Sequence, residues 1–282
     1  MGGQAMKVAV IGHTGMGGSA VTAELVRRGH QVRGLSFNAN DIPGPAGVDH
    51  QFSDVFDGEL LRSQLEGQDA VVSAYSGGHG LEVDVYYRQA EGTRRIIKAV
   101  RDAKVPYLIY IGGAASLFTK PGVQFLEDER WPRWFYGTQP PVHQRWLGDL
   151  IPAQIFHDSA DRKEAGLIKP GESDPILEEQ VKDWKHVALL EGCRVALDMF
   201  EGRTDFGWSF LSPPWMYRPG PGTGSYELGV DFMIWDEGIP SGIDVPDLAL
   251  AVCDEVESQR LMHKHWTCAG KQAKYAADVK EE

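Results

Sequence analysis

The chain has 282 residues and a net charge of −12 at pH 7, from 40 acidic and 28 basic side chains. This acidic balance argues against nucleic acid or a membrane surface as a partner, and the length allows one large domain or two ordinary ones. The sequence has three widely spaced cysteines, which predict no metal site. It has no apolar run of membrane-spanning length and no signal-peptide pattern, so we expect a cytoplasmic protein. Met6 is expected to follow a short leader.

A glycine-rich turn follows the first predicted strand, at residues 8–11. Its glycines, Gly12, Gly15 and Gly18, are spaced Gly-x-x-Gly-x-x-Gly and not as in the usual Gly-x-Gly-x-x-Gly fingerprint. Gly12 allows a sharp turn, Gly15 lets a diphosphate approach the backbone, and Gly18 lets the next helix lie against the sheet. The helix N-terminus then offers N–H groups to phosphates. The residues predicted to bind a coenzyme here are Gly12, Thr14, Gly15, Met16 and Gly17. A structural turn without a ligand is the alternative.

The second strand, predicted over residues 31–35, is followed by the position that normally decides between coenzymes. An acidic residue there holds the 2′-hydroxyl of NAD, whereas a basic one accepts the 2′-phosphate of NADP. Neither follows the strand directly. We therefore expect Ser36 and Asn38 to donate to a 2′-phosphate and Phe37 to stack on adenine. NADP is the predicted coenzyme, with NAD as the alternative, and a solvated loop is the alternative for residues 40–41.

The third and fourth strands are predicted around residues 50–52 and over residues 69–74. An acidic–apolar pair after the third strand is typical of an adenine site. Ligands of open α/β sheets bind at the C-terminal ends of the strands, so the residues ending the fourth strand should line the nicotinamide half of a coenzyme. Asp54 and Val55 are therefore predicted to bracket the adenine ring, and Ser73, Ala74 and Tyr75 are predicted to line the nicotinamide half.

A long helix over residues 86–103 precedes a fifth strand over residues 107–111, whose exit loop begins with Gly112 and Gly113. Both glycines are predicted to face the coenzyme. The repeated order of strand and helix predicts an α/β fold with a parallel sheet and right-handed crossovers, which is a Rossmann-like, doubly wound arrangement.

Residues 118–180 break this alternation and are rich in aromatic side chains. We expect an insertion over the C-terminal edge of the sheet within a single domain of residues 1–282. The insertion is interpreted as a lid over an apolar or aromatic small-molecule substrate. A packed excursion or the surface of a homodimer is the alternative.

The later elements are a helix over residues 184–200, a sixth strand over 208–212, a helix over 246–257 and a last strand over 263–267. Residues 213–245 between them are predicted to be substrate-binding loops, with Pro213 against the coenzyme. His263 and His265 would share one face of the last strand, as a structural pair and not a metal site, because no third ligand has suitable spacing.

The chain resembles the atypical short-chain dehydrogenase/reductase group, and within it the NAD(P)H-binding family of NADH-flavin reductases, which are relatives of NmrA-like and biliverdin reductase B-like proteins. The residues that carry the resemblance are 10–18, 28–30, 69–74, 111–117, 121–124, 212–214, 224–229 and 243–249. The resemblance implies a Rossmann fold and a nicotinamide coenzyme. The chain departs from the family at His13, where a small residue is usual, at Phe37, where many members have a basic residue, and over about residues 127–180.

Typical short-chain dehydrogenases use a Tyr-x-x-x-Lys pair, in which the tyrosine protonates an alkoxide and the lysine lowers its pKa and holds the nicotinamide ribose. No tyrosine here has a lysine four residues later. The resemblance implies that Lys185 anchors the ribose, with an ordinary surface lysine as the alternative, and places Ser116 at the serine position. The predicted catalytic residues are Lys185, Ser116 and Tyr75. The candidate substitute proton donors are Tyr75, His79, Tyr136, His143 and His186.

Three functions agree with these features. The first is an NAD(P)H-dependent oxidoreductase that transfers hydride to a planar or apolar molecule such as a flavin, quinone, enone or carbonyl compound. Flavins and quinones suit a site without a tyrosine acid, because they delocalise the charge and solvent can supply the proton. The second is a redox-neutral isomerase or cyclase on the same scaffold. The third is a non-enzymatic dinucleotide sensor of the NmrA-like kind.

Overall fold

The computed structural model describes residues 5–79, 82–185 and 187–270, and its central feature is an eight-stranded sheet. The strands of the described residues are β1 (Lys7–Ile11), β2 (Gln31–Ser36), β3 (Val48–Phe52), β4 (Ala70–Ser73), β5 (Tyr107–Ile111), β6 (Phe118–Lys120), β7 (Val123–Gln124), β8 (Gly207–Leu211), β9 (Met216–Arg218), β10 (Tyr226–Val230), β11 (Trp235–Asp236), β12 (Ile239–Pro240), β13 (Gly242–Asp244) and β14 (Lys264–Gly270). The helices are α1 (Met16–Arg27), α2 (Gly58–Leu65), α3 (Val83–Asp102), α4 (Arg133–Gly137), α5 (Pro141–Leu150), α6 (Gln154–Glu164), α7 (Pro175–Gln180), α8 (Ala188–Asp198) and α9 (Val245–Ser258).

The strands of the central sheet lie in the order β3-β2-β1-β4-β5-β8-β14-β10. All neighbours pair in parallel except β10, which runs antiparallel to β14 at one edge. The chain begins in the middle of the sheet and winds outward first to one side and then to the other, so the strand order reverses between β1 and β4. The predicted doubly wound, Rossmann-like sheet is confirmed.

The sequence predicts only short strand-like pieces within the loops of residues 217–241, so the regular edge strand β10 was not expected. Its side chains Leu228 and Val230 are 53% and 49% exposed. A strand with one partner and a solvated outer face has no buried stripe, so apolar alternation gives only a weak signal. The last strand also runs to Gly270, three residues beyond its predicted end.

Alternate residues of the central strands face opposite layers of helices. Val8 and Val10 of β1 pack with α1 and α9, while Ala9 and Ile11 pack with α2, α3 and α8. Both layers exclude water from the strands, because each strand is apolar on both faces. Among the described residues, none of the helices combines the length and apolar character needed to cross a bilayer.

The insertion, residues 118–180, forms the hairpin β6–β7 and the helices α4 to α7 around a core of its own. Aromatic rings fill this core: Phe125 and Phe135 lie 4.5 Å apart between ring centroids, and Tyr136 and Phe156 lie 5.3 Å apart. Its helices are short, which is why no helical period stood out in the sequence. Its assignment as a lid or as a dimer surface stays a prediction.

The insertion is tied to the loops of residues 213–245. The Phe118 N–H donates to the Asp231 carbonyl and the Met233 N–H donates to the Phe118 carbonyl, each over 2.9 Å. The Arg130 guanidinium lies over the ring of Trp235, 4.7 Å from its centroid, and is held by Asp128 at 2.8 Å. Insertion and loops therefore form one packed cap, defined here as residues 118–180 with 213–245.

The corner between β1 and α1 depends on backbone atoms in direct contact. Gly12 has φ +78°, and a Cβ there would lie 2.6 Å from the Ala74 carbonyl oxygen. A Cβ on Gly18 would lie only 2.1 Å from the Gly12 carbonyl oxygen. Both obstacles are backbone atoms, which cannot move aside as a side chain can. The predicted close approach of this helix to the sheet therefore has a direct steric cause.

We expect Gly18→Ala to lower the free energy of unfolding by about 1–3 kcal/mol, because the new methyl group must push α1 off the Gly12 carbonyl. Urea unfolding followed by circular dichroism measures this loss. Gly58→Ala, at a helical position where a Cβ meets nothing within 4 Å, is the matched control and should be neutral or slightly stabilising. Equal stability of the two variants would contradict this account of the corner.

Candidate functional site

A cavity of about 320 Å³ lies at the C-terminal ends of four parallel strands. Loops leaving these strands form its floor: residues 15–18 follow β1, residues 74–76 follow β4, residues 112–114 follow β5 and residues 213–215 follow β8. The sheet order reverses beside β1. This is the switch point at which open α/β sheets bind their ligands.

The roof of the cavity comes mainly from the insertion and from the segment around the start of α8. Most of these side chains are apolar or aromatic, and they are Tyr136, His143, Trp146, Leu147, Leu150, Ile151, Val187, Leu189, Leu190 and Cys193. The cavity therefore runs from the corner between β1 and α1 to an apolar cover that a bare Rossmann sheet would lack.

The N-terminus of α1 forms one end of the cavity. No side chain in the described part of the protein caps its first turn, and no acidic residue lies in that turn. The first N–H groups of a helix have no partner within the helix, and they carry the positive end of its dipole. A Cβ on Gly15 would meet only the Gly12 carbonyl oxygen, at 3.4 Å, so the space in front of the turn is otherwise open. This arrangement suits a phosphate or diphosphate.

Tyr217 lies over this first turn. A Cβ on Gly17 would come within 2.4 Å of the Tyr217 Oη, so glycine at this position leaves room for the tyrosine. The hydroxyl is buried and has no hydrogen-bond partner among the described residues. A buried polar group without a partner costs about 1–3 kcal/mol, which a ligand oxygen could recover.

A polar cluster joins the glycine-rich turn to the end of β2. The Thr14 hydroxyl donates to the Asn38 Oδ1 over 2.8 Å, and the Thr14 N–H donates to the Ser36 Oγ over 3.3 Å. Ser36 is buried and also contacts the His13 Nδ1 at 2.9 Å. The turn and the predicted coenzyme-selecting loop are therefore one hydrogen-bonded unit.

Two histidines extend this cluster to β3. His13 Nε2 lies 2.7 Å from His50 Nδ1, and His50 Nε2 lies 2.7 Å from the Ala39 carbonyl oxygen. The carbonyl can only accept, so in the neutral state His50 donates to it, His13 donates to His50, and Ser36 donates to His13. Burial lowers the pKa of His13, which favours this neutral state. A Cβ on Gly34 would lie 2.4 Å from the His13 ring, so that glycine makes the inward histidine possible.

Comparison with known proteins shows what this geometry is similar to. A family model described as NAD(P)H-binding matches residues 12–136, which include the glycine-rich turn and every cavity loop up to β5. This part of the chain is therefore similar to NAD(P)H-binding proteins, which supports a likeness to the atypical short-chain dehydrogenases/reductases. The resemblance stated from the sequence is confirmed, and the coenzyme of this family is a nicotinamide dinucleotide.

Individual relatives span nearly the whole chain. The uncharacterised protein YwnB of Bacillus subtilis is 27% identical over 263 residues, which cover 93% of this chain and 97% of YwnB. A solved structure from Burkholderia pseudomallei, provisionally described as an exported protein, is 27% identical, with a TM-score of 0.65 and coverage of 94% of this chain and 99% of that one. Since that relative is described as exported, the cytoplasmic location of this protein stays a prediction.

A third relative agrees in fold. The solved structure of a Streptococcus pneumoniae protein, provisionally named an NADH-flavin reductase, is 20% identical and has a TM-score of 0.64. The alignment covers 94% of this chain and all of that one, at 100%. At this identity the likeness shows the fold alone.

The structure brings seven of the sixteen predicted coenzyme residues together at the cavity. Those that line it are Gly15, Met16, Gly17, Ala74, Gly112, Gly113 and Pro213, and Tyr75 lies beside them. Gly12 lies beneath the turn, and Thr14, Ser36 and Asn38 form the polar cluster beside it. Phe37 is 70% exposed and packs on Phe52 with ring centroids 5.6 Å apart.

The remaining predicted coenzyme residues do not line the cavity. Asp54 accepts a hydrogen bond from the Phe56 N–H over 2.8 Å, Val55 is buried, and Ser73 is buried without a partner for its hydroxyl among the described residues. Asp54 lies near enough to Tyr75 to contribute to the raised pKa of that phenol. The roles of these residues in holding the coenzyme stay predictions.

Of the three predicted catalytic residues, the structure places one at the cavity. The Tyr75 hydroxyl donates to the Arg88 carbonyl over 2.9 Å, and burial raises its pKa to about 12. Ser116 is wholly buried and donates to the Cys193 carbonyl over 3.0 Å. Lys185 is exposed, because α8 begins at Ala188 and not at the predicted residue 184. Their catalytic roles stay predictions.

Among the substitute proton donors, His79, Tyr136 and His143 line the cavity together with Tyr75, while His186 lies outside the described residues. Sequence reasoning missed Tyr217. It lies in no motif and reaches the cavity beside Gly17, which is far away in the sequence.

We expect Gly15→Ala to weaken the binding of NAD(P)H at least about tenfold, because the methyl group enters the open space before the first turn of α1. The free energy of unfolding should stay within about 1 kcal/mol of the unmodified protein, since the protein itself offers the methyl group no clash. Titration calorimetry measures the affinity, with Gly58→Ala as the control. An unchanged dissociation constant would remove the diphosphate from this corner.

Proposed function

We propose that this protein is an NAD(P)H-dependent oxidoreductase that transfers hydride to a planar, largely apolar acceptor such as a flavin or a quinone. One observation carries the proposal: the cavity that begins at the uncapped first turn of α1 continues into a roof of apolar and aromatic side chains. A coenzyme and an apolar acceptor would meet within one enclosed space, as hydride transfer requires.

The coenzyme half rests on the chain's own donors. The free N–H groups of the first turn of α1 and the Tyr217 hydroxyl would hold the diphosphate, and the opening at Gly15 admits it. The bound coenzyme supplies the hydride at its nicotinamide ring. NADP(H) is the proposed form, since no carboxylate directly follows β2, where the first acidic residue is Asp41, and the Asn38 amide nitrogen can donate to a 2′-phosphate. The Ser36 hydroxyl donates its one proton to His13, so it cannot also donate to a 2′-phosphate.

The acceptor half rests on the cap. Trp146, Leu147 and Leu150 of the insertion line the same cavity as Trp215 and Val187. Apolar walls that include indole rings favour a flat molecule of low polarity, because such a molecule gives up little hydration when it enters. These contacts support the proposed roles of residues 118–180 as a lid and of residues 213–245 as substrate loops.

The ionisable side chains of the cavity favour an acceptor that needs no buried acid. Burial raises the pKa of Cys193 to about 12 and also raises that of Tyr136, and Tyr75 is engaged by the Arg88 carbonyl. Burial lowers the pKa of His143 to about 3, so it is neutral at pH 7. A flavin or quinone spreads the arriving negative charge over its rings and can take its proton from solvent, whereas a simple ketone needs a placed donor.

Stopped-flow mixing of the full chain, loaded with NADPH or NADH carrying deuterium at C4, tests this proposal. We expect oxidation of the coenzyme by flavins or quinones, with deuterium transferred, and little reaction with simple ketones. Tight coenzyme binding without oxidation by any acceptor would contradict the proposal and, with a co-purifying protein, would favour the sensor. Substrate conversion without net loss of coenzyme would favour the redox-neutral isomerase or cyclase.

We also expect Tyr217→Phe to weaken the binding of NAD(P)H and of ADP about tenfold, since a hydrogen bond to a charged phosphate contributes roughly 1.5–3 kcal/mol. Adenosine, which lacks phosphate, should bind unchanged. The melting temperature should not fall, because the hydroxyl has no partner among the described residues.

Tyr226→Phe is the matched control for Tyr217→Phe. The Tyr226 hydroxyl donates to Asp254 and the residue does not line the cavity, so coenzyme affinity should not change. Equal affinities of both variants for ADP would show that Tyr217 does not contact the phosphates.

A further inference from the structure

His143 is a buried histidine in the roof of the cavity. It lies near the start of α5, is 1% exposed and borders the cavity. Its ring stacks on that of Trp146, another roof residue, with centroids 5.1 Å apart and an interplanar angle of 17°. Both residues belong to the insertion, so the feature is part of the acceptor half and not of the coenzyme half.

Hydrogen bonds fix which nitrogen of this imidazole carries the proton. The Gln139 side-chain amide donates to the Phe135 carbonyl over 2.7 Å, which leaves the Gln139 Oε1 as an acceptor. This oxygen contacts the His143 Nδ1. Since an amide oxygen can only accept, Nδ1 must be the protonated nitrogen. The backbone carbonyl of Phe135 thereby sets the amide orientation, and the amide sets the tautomer.

The opposite edge of the ring is left with an unused lone pair. Nε2 is buried and has no hydrogen-bond partner among the described residues. Burial, and secondarily the nearby Arg218 guanidinium, keep the imidazole neutral at pH 7. A neutral imidazole protonated on Nδ1 can only accept at Nε2, so it cannot serve as a proton donor there.

We propose that the His143 Nε2 accepts a hydrogen bond from the acceptor molecule, so the site selects planar rings that carry an N–H or O–H group on their edge. This inference rests on the proposed function in one respect, that the cavity holds the substrate. The selection follows from the cost of leaving Nε2 unpaired: a ring without the donor group fills the space but leaves a buried polar atom unsatisfied.

Three naphthalene probes of one shape test the inference without any turnover: 2-naphthol, 2-methoxynaphthalene and naphthalene. Titration calorimetry on the full chain, with and without NADP, should show 2-naphthol binding roughly tenfold tighter than either of the others. Naphthalene controls for the added bulk of the methyl ether. If 2-naphthol binds no tighter than naphthalene, or does not bind, the inference is wrong.

His143→Phe keeps a flat ring against Trp146 and removes the acceptor. In this variant 2-naphthol should bind no tighter than naphthalene, while coenzyme affinity stays unchanged. A preference for 2-naphthol that survives the substitution would overturn the inference.

Because the variant leaves the Gln139 Oε1 without its donor, a second measurement uses the unmodified protein. Nitrogen-15 NMR of the histidine rings should show a protonated Nδ1 and an unprotonated Nε2 at His143, with the Nε2 resonance moving when 2-naphthol is added. A proton on Nε2, or no movement on binding, overturns the inference.

The two proposals fail separately. A preference for 2-naphthol with no oxidation of NAD(P)H would refute hydride transfer and leave the hydrogen-bonding role of His143 in place. Normal oxidation of NAD(P)H with equal binding of the three probes would do the reverse.

Discussion

The contact between the Gly12 carbonyl and the backbone of Gly18 is the constraint on which the rest of the structure depends. It brings α1 against the sheet so closely that no side chain fits between them. Because α1 is held there, its uncapped first turn faces the place where the strand order reverses, and the loops after β4, β5 and β8 surround the same point. One steric contact thus sets the position of the positive helix end relative to the floor of the cavity.

The first half of the fold could be read from the sequence because its signals are local. The strands are apolar runs, and the turn is marked by glycines whose spacing has a direct steric meaning at Gly12 and Gly18. The insertion could not be read in this way. Its helices are short, and they are held by aromatic rings such as Phe125 and Phe156, which come together only in three dimensions. The order of polar and apolar residues along the chain does not predict which distant aromatic ring a side chain will contact.

The residues of the candidate site also differ in whether a local sequence signal could reveal them. Gly15, Met16 and Gly17 were found because a motif contains them, and they line the cavity. Ser116 and Lys185 were proposed from family positions, yet one is enclosed behind Cys193 and the other is exposed. Tyr217 carried no signal, since only its contact with Gly17, two hundred residues earlier in the chain, reveals it. His143 was one of five candidate proton donors, but the hydrogen bond from Gln139 to the Phe135 carbonyl commits its Nδ1 proton to Gln139 and leaves its Nε2 able only to accept.

The separate aromatic core of the insertion means that the two halves of the cavity can diverge independently. Rings such as Phe125, Trp131 and Phe156 stabilise the roof from within, while the glycine corner is stabilised by the sheet and by α9. Replacements in the roof can therefore accumulate without disturbing the strands below. Evolution or protein engineering could therefore replace the insertion and change which compound the cavity accepts, while the glycine-rich corner stays the same.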